Sequence, residues 1–109
     1  MAESVIKNNK LFKRYDVTSN IEYSTGTTTK NQHYDINFNA ILVITCAAKN
    51  GSTDSWVSVT NHSFGDIILG QSVDHSSGRF TLTFPTLKGD SLDITTYNLQ
   101  SLKAYLVEV

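Results

Sequence analysis

The sequence predicts an all-β protein: a single antiparallel β-sandwich or jelly-roll-like domain of about eight strands. Short segments that alternate apolar and polar residues recur about every ten residues, and turn-forming Gly, Asn, Asp and Ser separate them. Thr, Ser and Asn together supply 34 of the 109 residues. Thr favours strands and Ser and Asn favour turns, so this composition suits a protein of strands and turns.

The first half of the chain is expected to contain four strands. Tyr34, Ile36 and Phe38 alternate with polar residues, which indicates a strand with one buried face. The Thr-rich segment Ser24–Gln32 is expected to be a loop. The predicted strands are Lys10–Val17, Ile21–Thr25, Tyr34–Asn39 and Ala40–Ala48, and residues 1–9 form an N-terminal arm or a short strand before them.

The segment Ala40–Ala48, AILVITCAA, does not alternate and is apolar throughout except at Thr45. It is far shorter than the roughly 20 residues of a membrane-spanning helix, so no membrane insertion is expected. A sandwich covers each sheet on its inner face only, and a strand that is apolar on both faces therefore needs further cover. A loop of the same chain or another subunit could supply it, and we expect a homo-oligomer.

The second half of the chain is expected to form four more strands after Ser55–Thr60. In Ser55–Thr60, Val57 and Val59 share one face, whereas Trp56, Ser58 and Thr60 share the other. The last segment also fits a helical stripe of leucines, but Tyr105 and Val107 favour a strand. The further predicted strands are Phe64–Val73, Arg79–Leu87 (ended by Pro85), Ser91–Leu99 and Leu102–Val109, with a turn at Asp74–Gly78.

Charge and cysteine content exclude several classes of protein. The formal net charge is −1, and no continuous basic stripe is present, so nucleic-acid binding is not expected. The single cysteine, Cys46, permits no intrachain disulfide. One Cys and three widely spaced His match no zinc-ligand pattern, and we expect neither a metal nor a cofactor. The N-terminal residues also lack the basic-then-apolar pattern of a signal peptide.

The residue types of hydrolytic catalysis are present without a catalytic pattern. His62, Ser63 and Asp66 lie close in sequence, but a catalytic triad is defined by geometry, and adjacent residues of a strand point to opposite faces. Asn61–Ser63 is expected to be a turn. Cys46 lies in the most apolar run, where burial would raise the pKa of its thiol and make it inert. We therefore expect the protein not to be an enzyme.

Molecular recognition remains as the function to test. Saccharides bind to flat aromatic rings that cover the apolar C–H side of the sugar, while polar side chains bond its hydroxyls. The candidate ligand-binding residues are Trp56, Asn61, His62, His75 and Tyr97. For Trp56, packing between the sheets and an exposed binding role both remain open, because Trp is usually mostly buried.

The two ends of the chain suggest a family. AESVIKNNKLFKRYDV leads into a β domain that finishes with the strand LKAYLVEV. This layout resembles the C-terminal head domains of bacteriophage tail-fibre and baseplate receptor-binding proteins. The resemblance implies a homotrimer located in the virion that binds a polysaccharide of the host surface, and it assigns no residue. A purely structural virion module and a small free-standing lectin are the alternatives, and outside that family the protein is expected to be soluble.

Overall fold

A computed structural model describes residues 2–7, 10–49, 54–74 and 78–109. These residues form nine strands and two short 3₁₀ turns. The strands are β1 (Ala2–Lys7), β2 (Lys10–Asp16), β3 (Lys30–Asp35), β4 (Ala40–Ala48), β5 (Ser55–Asn61), β6 (Ile67–Asp74), β7 (Arg79–Thr86), β8 (Ser91–Tyr97) and β9 (Leu99–Glu108). The 3₁₀ turns are Thr18–Asn20 and His62–Phe64. No helix in this part of the chain is long and apolar enough to cross a lipid bilayer.

The strands form two antiparallel sheets. The five-stranded sheet has the order β1-β2-β9-β4-β7, and the four-stranded sheet has the order β3-β8-β5-β6. All strand pairs among the described residues are antiparallel. The predicted all-β sandwich is therefore confirmed, and residues 2–7 form a strand that pairs with β2.

The core lies between the inner faces of the two sheets. Val57 and Val59 are fully buried in β5, as their alternation predicted. In β9, Leu102, Ala104 and Leu106 are buried in alternation, which confirms that this segment is a strand. The buried core residues are Val17, Ile21, Ile36, Ala40, Leu42, Ile44, Cys46, Val57, Val59, Phe84, Leu92, Ile94, Leu99, Leu102, Ala104 and Leu106.

Strand β4 lies inside the five-stranded sheet, between β7 and β9. Leu42, Ile44 and Cys46 point into the core, and burial raises the pKa of the Cys46 thiol to about 12. Ile41 remains 37% exposed and Val43 is only half-buried, because both lie on the outer face. The expectation that β4 is covered on both faces is therefore not met within one chain.

The segment Ile21–Thr25 is irregular rather than a strand, which corrects the prediction. Ile21 and Ser24 are buried, but the backbone of Ser24 bonds to side chains and to a strand end instead of a ladder. Its N–H donates to Thr96 Oγ1 at 2.8 Å, and its carbonyl accepts from Leu99 N at 2.8 Å. The Ser24 hydroxyl bonds to loop carbonyls, the local competition with regular structure that Ser often provides.

Several predicted strand boundaries are also wrong: β6 begins at Ile67 rather than at Phe64, and β9 begins at Leu99 rather than at Leu102. The strand expected at Tyr34–Asn39 lies earlier, at Lys30–Asp35, because the chain leaves the sheet after Asp35. Ile36 then exchanges backbone hydrogen bonds with Asp90 and Gly89 in the turn between β7 and β8. Pro85 does not end β7, since β7 is an edge strand where a missing N–H is tolerated.

We expect Ile94→Ala to lower the free energy of unfolding by about 2–5 kcal/mol, because Ile94 is fully buried and its truncation leaves a cavity. Thr95→Ala is the matched control, since Thr95 is the next residue of β8 and faces outward. Its effect is expected to stay within about 1 kcal/mol. Urea unfolding measures both variants, and equal effects would contradict the assigned faces of β8.

Candidate functional site

The outer face of the four-stranded sheet carries aromatic, imidazole, carboxylate and hydroxyl side chains. Residues that alternate with the buried positions of β3, β5 and β8 face away from the core. We call this set the platform. It consists of Asn31, His33, Asp35, Trp56, Ser58, Thr60, Ser91, Asp93, Thr95 and Tyr97.

An aromatic pair occupies one end of the platform. Trp56 and Tyr97 are opposite each other in the register of β5 and β8. Their ring centroids are 5.9 Å apart and the ring planes differ by 16°, which is a stacked arrangement. Both side chains are half-buried, so the pair is neither core nor fully exposed. A stacked pair of this kind contributes about 0.5–1.5 kcal/mol beyond the burial of its area.

Two histidines and three aspartates form the His–Asp cluster: His33, Asp35, His62, Asp66 and Asp93. Asp93 lies between the two imidazoles, with Oδ1 3.2 Å from His33 Nδ1 and Oδ2 2.6 Å from His62 Nε2. The second nitrogen of His33 lies 2.8 Å from Asp35 Oδ1, and that of His62 contacts Asp66 Oδ1. Both nitrogens of each imidazole therefore face a carboxylate.

This geometry favours protonated histidines. A neutral imidazole has one N–H donor, whereas the imidazolium can donate from both nitrogens. The bonds to Asp93 and then Asp35 raise the pKa of His33, and the bonds to Asp66 and then Asp93 raise the pKa of His62. The bonds from His62 and then His33 in turn lower the pKa of Asp93.

The sign of the linkage sets a pH window for the cluster. A raised histidine pKa gives stability that is complete below the unfolded-state pKa and is lost as pH rises through the folded-state value. A lowered aspartate pKa gives stability that is lost as pH falls through the folded-state value. The cluster is therefore strongest between the ordinary pKa values of Asp and His.

A buried hydrogen-bond network holds the second 3₁₀ turn in place. Asn61 caps this turn, because its Oδ1 accepts from Ser63 N at 2.9 Å. Asn61 Nδ2 donates to Asp90 Oδ2 at 3.0 Å, and the same oxygen accepts from Leu87 N at 2.9 Å. Ser91 N donates to Ser63 Oγ at 3.1 Å. These bonds tie the end of β5 to the start of β8, which places His62 beside Asp93.

Asp66 reaches His62 through a left-handed stretch of backbone. Gly65 has φ 75° and Asp66 has φ 63°, so two consecutive residues adopt this conformation. Glycine adopts it without a steric penalty, and Asp is one of the residues that tolerate it best. The chain thereby turns back at once into β6, and the Asp66 carboxylate contacts the imidazole four residues earlier.

The candidate ligand-binding residues chosen from the sequence lie in different parts of the structure. Trp56 and Tyr97 come together, and His62 lies toward the opposite end of the platform in the His–Asp cluster. Asn61 is fully buried and bonds only within the turn network, so its side chain does not reach the surface. His75 lies outside the described residues.

Sequence reasoning did not select His33, Asp35, Asp66 or Asp93 as site residues. A signal existed for two of them, because His33 and Asp35 are two positions apart in an alternating segment and must share a face. Nothing in the sequence indicates that β3 pairs with β8, which is what brings His33 opposite Asp93. Because the two strands are distant in sequence, local sequence pattern could not predict this cluster.

The cluster differs from a hydrolytic triad. His62 contacts Asp66 and Asp93, whereas the Ser63 hydroxyl accepts from the backbone N–H of Ser91. Within the described ranges, no group of three or more His, Cys, Asp or Glu residues is arranged to hold a metal ion. The platform instead combines aromatic rings with hydroxyl, imidazole and carboxylate groups on one extended sheet.

No protein-family model matches this chain, and no curated protein matches it.

We expect Asp93→Asn to lower the pKa of both His33 and His62, because the carboxylate between them becomes an uncharged amide. Asp35→Asn should lower the pKa of His33 alone, and Asp66→Asn that of His62 alone. Titration of the imidazole C–H resonances by NMR measures these values, with His33→Gln and His62→Gln used to assign the signals. A shift confined to one histidine in Asp93→Asn would contradict the bridging position of Asp93.

Proposed function

We propose that this protein is a non-catalytic recognition module that oligomerises and binds a cell-surface saccharide on its platform. The resemblance of the sequence to bacteriophage receptor-binding heads supports a host-surface polysaccharide as the ligand and a phage tail as the location. Trimerisation is the assembly that this resemblance favours.

One observation carries the saccharide proposal: the aromatic pair and His33, Asp35 and Asp93 of the His–Asp cluster occupy the same face of one sheet, and His62 and Asp66 adjoin that face from the turn after β5. Tyr97 and Asp93 are four residues apart in β8, a distance of about 13 Å along an extended strand. Thr95 and Ser58 lie between them as a register pair with short side chains. No large side chain of β8 or β5 therefore separates the aromatic rings from the carboxylates on this face.

Each part of this path suits a different part of a sugar chain. The half-exposed aromatic pair of Trp56 and Tyr97 offers apolar surface for the C–H side of a pyranose ring. The carboxylates of Asp35 and Asp66 are 69% and 72% exposed and can accept hydrogen bonds from hydroxyls. A linear oligosaccharide laid along β8 would meet both.

The other outer face of the sandwich supports oligomerisation. Ile41 lies between Pro85 and Val107 in the sheet register, and Val43 lies between Thr83 and Tyr105. We call the apolar members of these two rows, Ile41, Val43, Pro85, Tyr105 and Val107, the apolar face. All five are half-buried or exposed in the single chain, and apolar surface of this kind marks contact sites between proteins.

The two faces lie on opposite sides of the sandwich, so both can be used at once. Burial of the apolar face against other copies leaves every platform accessible. Several platforms on one assembly would then engage a repeating polysaccharide together, and weak single sites would gain avidity.

Trp56→Ala is expected to weaken saccharide binding by about tenfold or more, because it removes the larger ring of the aromatic pair. Trp56→Phe keeps an aromatic face and should retain part of the binding. Ser19→Ala, at an exposed position of the 3₁₀ turn Thr18–Asn20, is the remote control and should bind like the parent. Glycan-array binding and adhesion to host cells measure the effect, and circular dichroism verifies the fold.

If Trp56→Ala binds every saccharide as the parent does, the platform is not the binding site. Loss of binding in Ser19→Ala to the same extent would show that the assay reports stability and not recognition.

Val43→Lys is expected to convert the oligomer into a monomer, because it places a charge in the middle of the apolar face. Ser58→Lys is the matched control, since Ser58 is also an outward residue of an interior strand but belongs to the platform. Sedimentation velocity distinguishes the two variants. A parent protein that is monomeric at micromolar concentration would exclude the assembly through the apolar face.

A purely structural assembly module is the second candidate, and the apolar face favours it as well. This candidate predicts a stable oligomer that binds no arrayed saccharide. It also predicts that Trp56→Ala leaves both assembly and attachment to host cells unchanged.

A further inference from the structure

Charge is distributed unevenly between the two sheets. Six of the nine Lys and Arg residues lie in strands of the five-stranded sheet. The strands of the four-stranded sheet contain one residue of the Lys and Arg type, Lys30, and the titratable His33, together with Asp35, Asp74 and Asp93. The net charge of the whole chain is therefore near zero although the four-stranded sheet is formally negative and the five-stranded sheet is formally positive.

The negative charge on the platform side is exposed. The side chains of Asp35 and Asp66 are 69% and 72% exposed, and each has its Oδ1 oxygen against an imidazole. Asp93 is 26% exposed and lies between them. An approaching ligand would therefore meet three carboxylates and two imidazoles at this end of the platform.

Among the described residues, the outward positions of β3, β5 and β8 include no Lys or Arg. Lys30 is exposed, but its register partner is Thr96, which points into the core, so Lys30 does not belong to the outward set. Asp90, in the turn beside the cluster, is buried and bonded to Asn61 and Leu87. Within the His–Asp cluster, the titratable imidazoles of His33 and His62 are the groups that can carry positive charge.

We infer that the platform selects saccharides that carry no acidic group, and that it rejects sialylated, uronic, sulfated or phosphorylated chains. This inference rests on the saccharide-binding function proposed above and names its ligand class. Neutral sugars offer hydroxyl donors to the carboxylates, and an amino sugar adds a favourable charge. An anionic group brought next to Asp35, Asp66 and Asp93 is repelled and finds no Lys or Arg partner among the platform residues.

The same geometry makes the selectivity depend on pH. Each imidazole faces only carboxylates within the cluster: Asp35 and Asp93 for His33, and Asp66 and Asp93 for His62. When pH rises through their pKa values, the imidazoles lose their positive charge and all three carboxylate charges are left uncompensated. When pH falls, two of the three are offset, and the rejection of anions weakens.

A glycan array of matched pairs tests the inference with the whole 109-residue chain. Each neutral oligosaccharide is printed beside its sialylated and sulfated derivatives, and the sulfate stays charged across the pH range. We expect the derivatives to bind about threefold to tenfold more weakly than the neutral parent when the added group lies near the cluster, as is typical of exposed charges. The ratio is expected to be larger at alkaline than at mildly acidic pH.

A variant that removes charge tests whether the His–Asp cluster causes the difference between neutral and sulfated binding. In the double variant Asp35→Asn and Asp66→Asn, the ratio of neutral to sulfated binding should fall toward one. Asn is close in shape to Asp and also tolerates the left-handed backbone at position 66. Asp16→Asn is the matched control, because it removes one negative charge from the opposite sheet and Asn can still accept from Thr18 N. Its ratio should equal that of the parent.

The outcomes separate the two proposals. Binding of neutral saccharides with weak binding of their sulfated partners supports the ligand class. Equal or tighter binding of the anionic partners overturns the ligand class and leaves the platform as a saccharide site. A protein that binds neither member of any pair overturns both proposals together.

Discussion

Burial of one face of each strand determines what the other face displays. Because side chains alternate along a strand, a shift of one residue in register would exchange the inner and outer sets. Leu92, Ile94 and Thr96 are buried in β8, and this alone forces Asp93 and Tyr97 outward. The platform is thus a consequence of core packing: the packing that stabilises the sandwich also aligns the residues that we propose to bind a saccharide.

The buried polar network adds a second constraint, at the point where β5 ends and β8 begins. Asn61 and Asp90 are both buried, and each makes one hydrogen bond within its own turn and shares one with the other residue. A buried amide or carboxylate without such a partner would cost about 1–3 kcal/mol. The two turns therefore have to stay together, which holds His62 beside the Asp93 that core packing of β8 directs outward.

Local pattern predicted the strands well because it depends on neighbouring residues only. The alternation around Val57 and Val59 identified both faces of β5, and Tyr105 and Val107 correctly favoured a strand for the last segment. The errors have a different origin. The segment from Ile21 to Thr25 has a strand-like composition, but side chains and strand ends distant in sequence take its backbone bonds.

The candidate site was predictable only in part, for the same reason. The sequence placed Trp56 on the strand face opposite Val57 and Val59 and left its exposure open. Its partner Tyr97 is 41 residues away and is brought near by the pairing of β5 with β8. Asn61 has the composition of a surface turn, yet it is buried because a second turn packs over it. Contacts between distant strands depend on sheet order, which no local periodicity contains.

The single thiol of the chain gives the fold a built-in reporter. Cys46 is 1% exposed in β4 and its pKa is raised to about 12, so neither access nor ionisation allows it to react in the closed sandwich. A thiol reagent can modify it only when the two sheets separate or β4 leaves its neighbours. The rate of that modification therefore measures how often the core opens, without any engineered label.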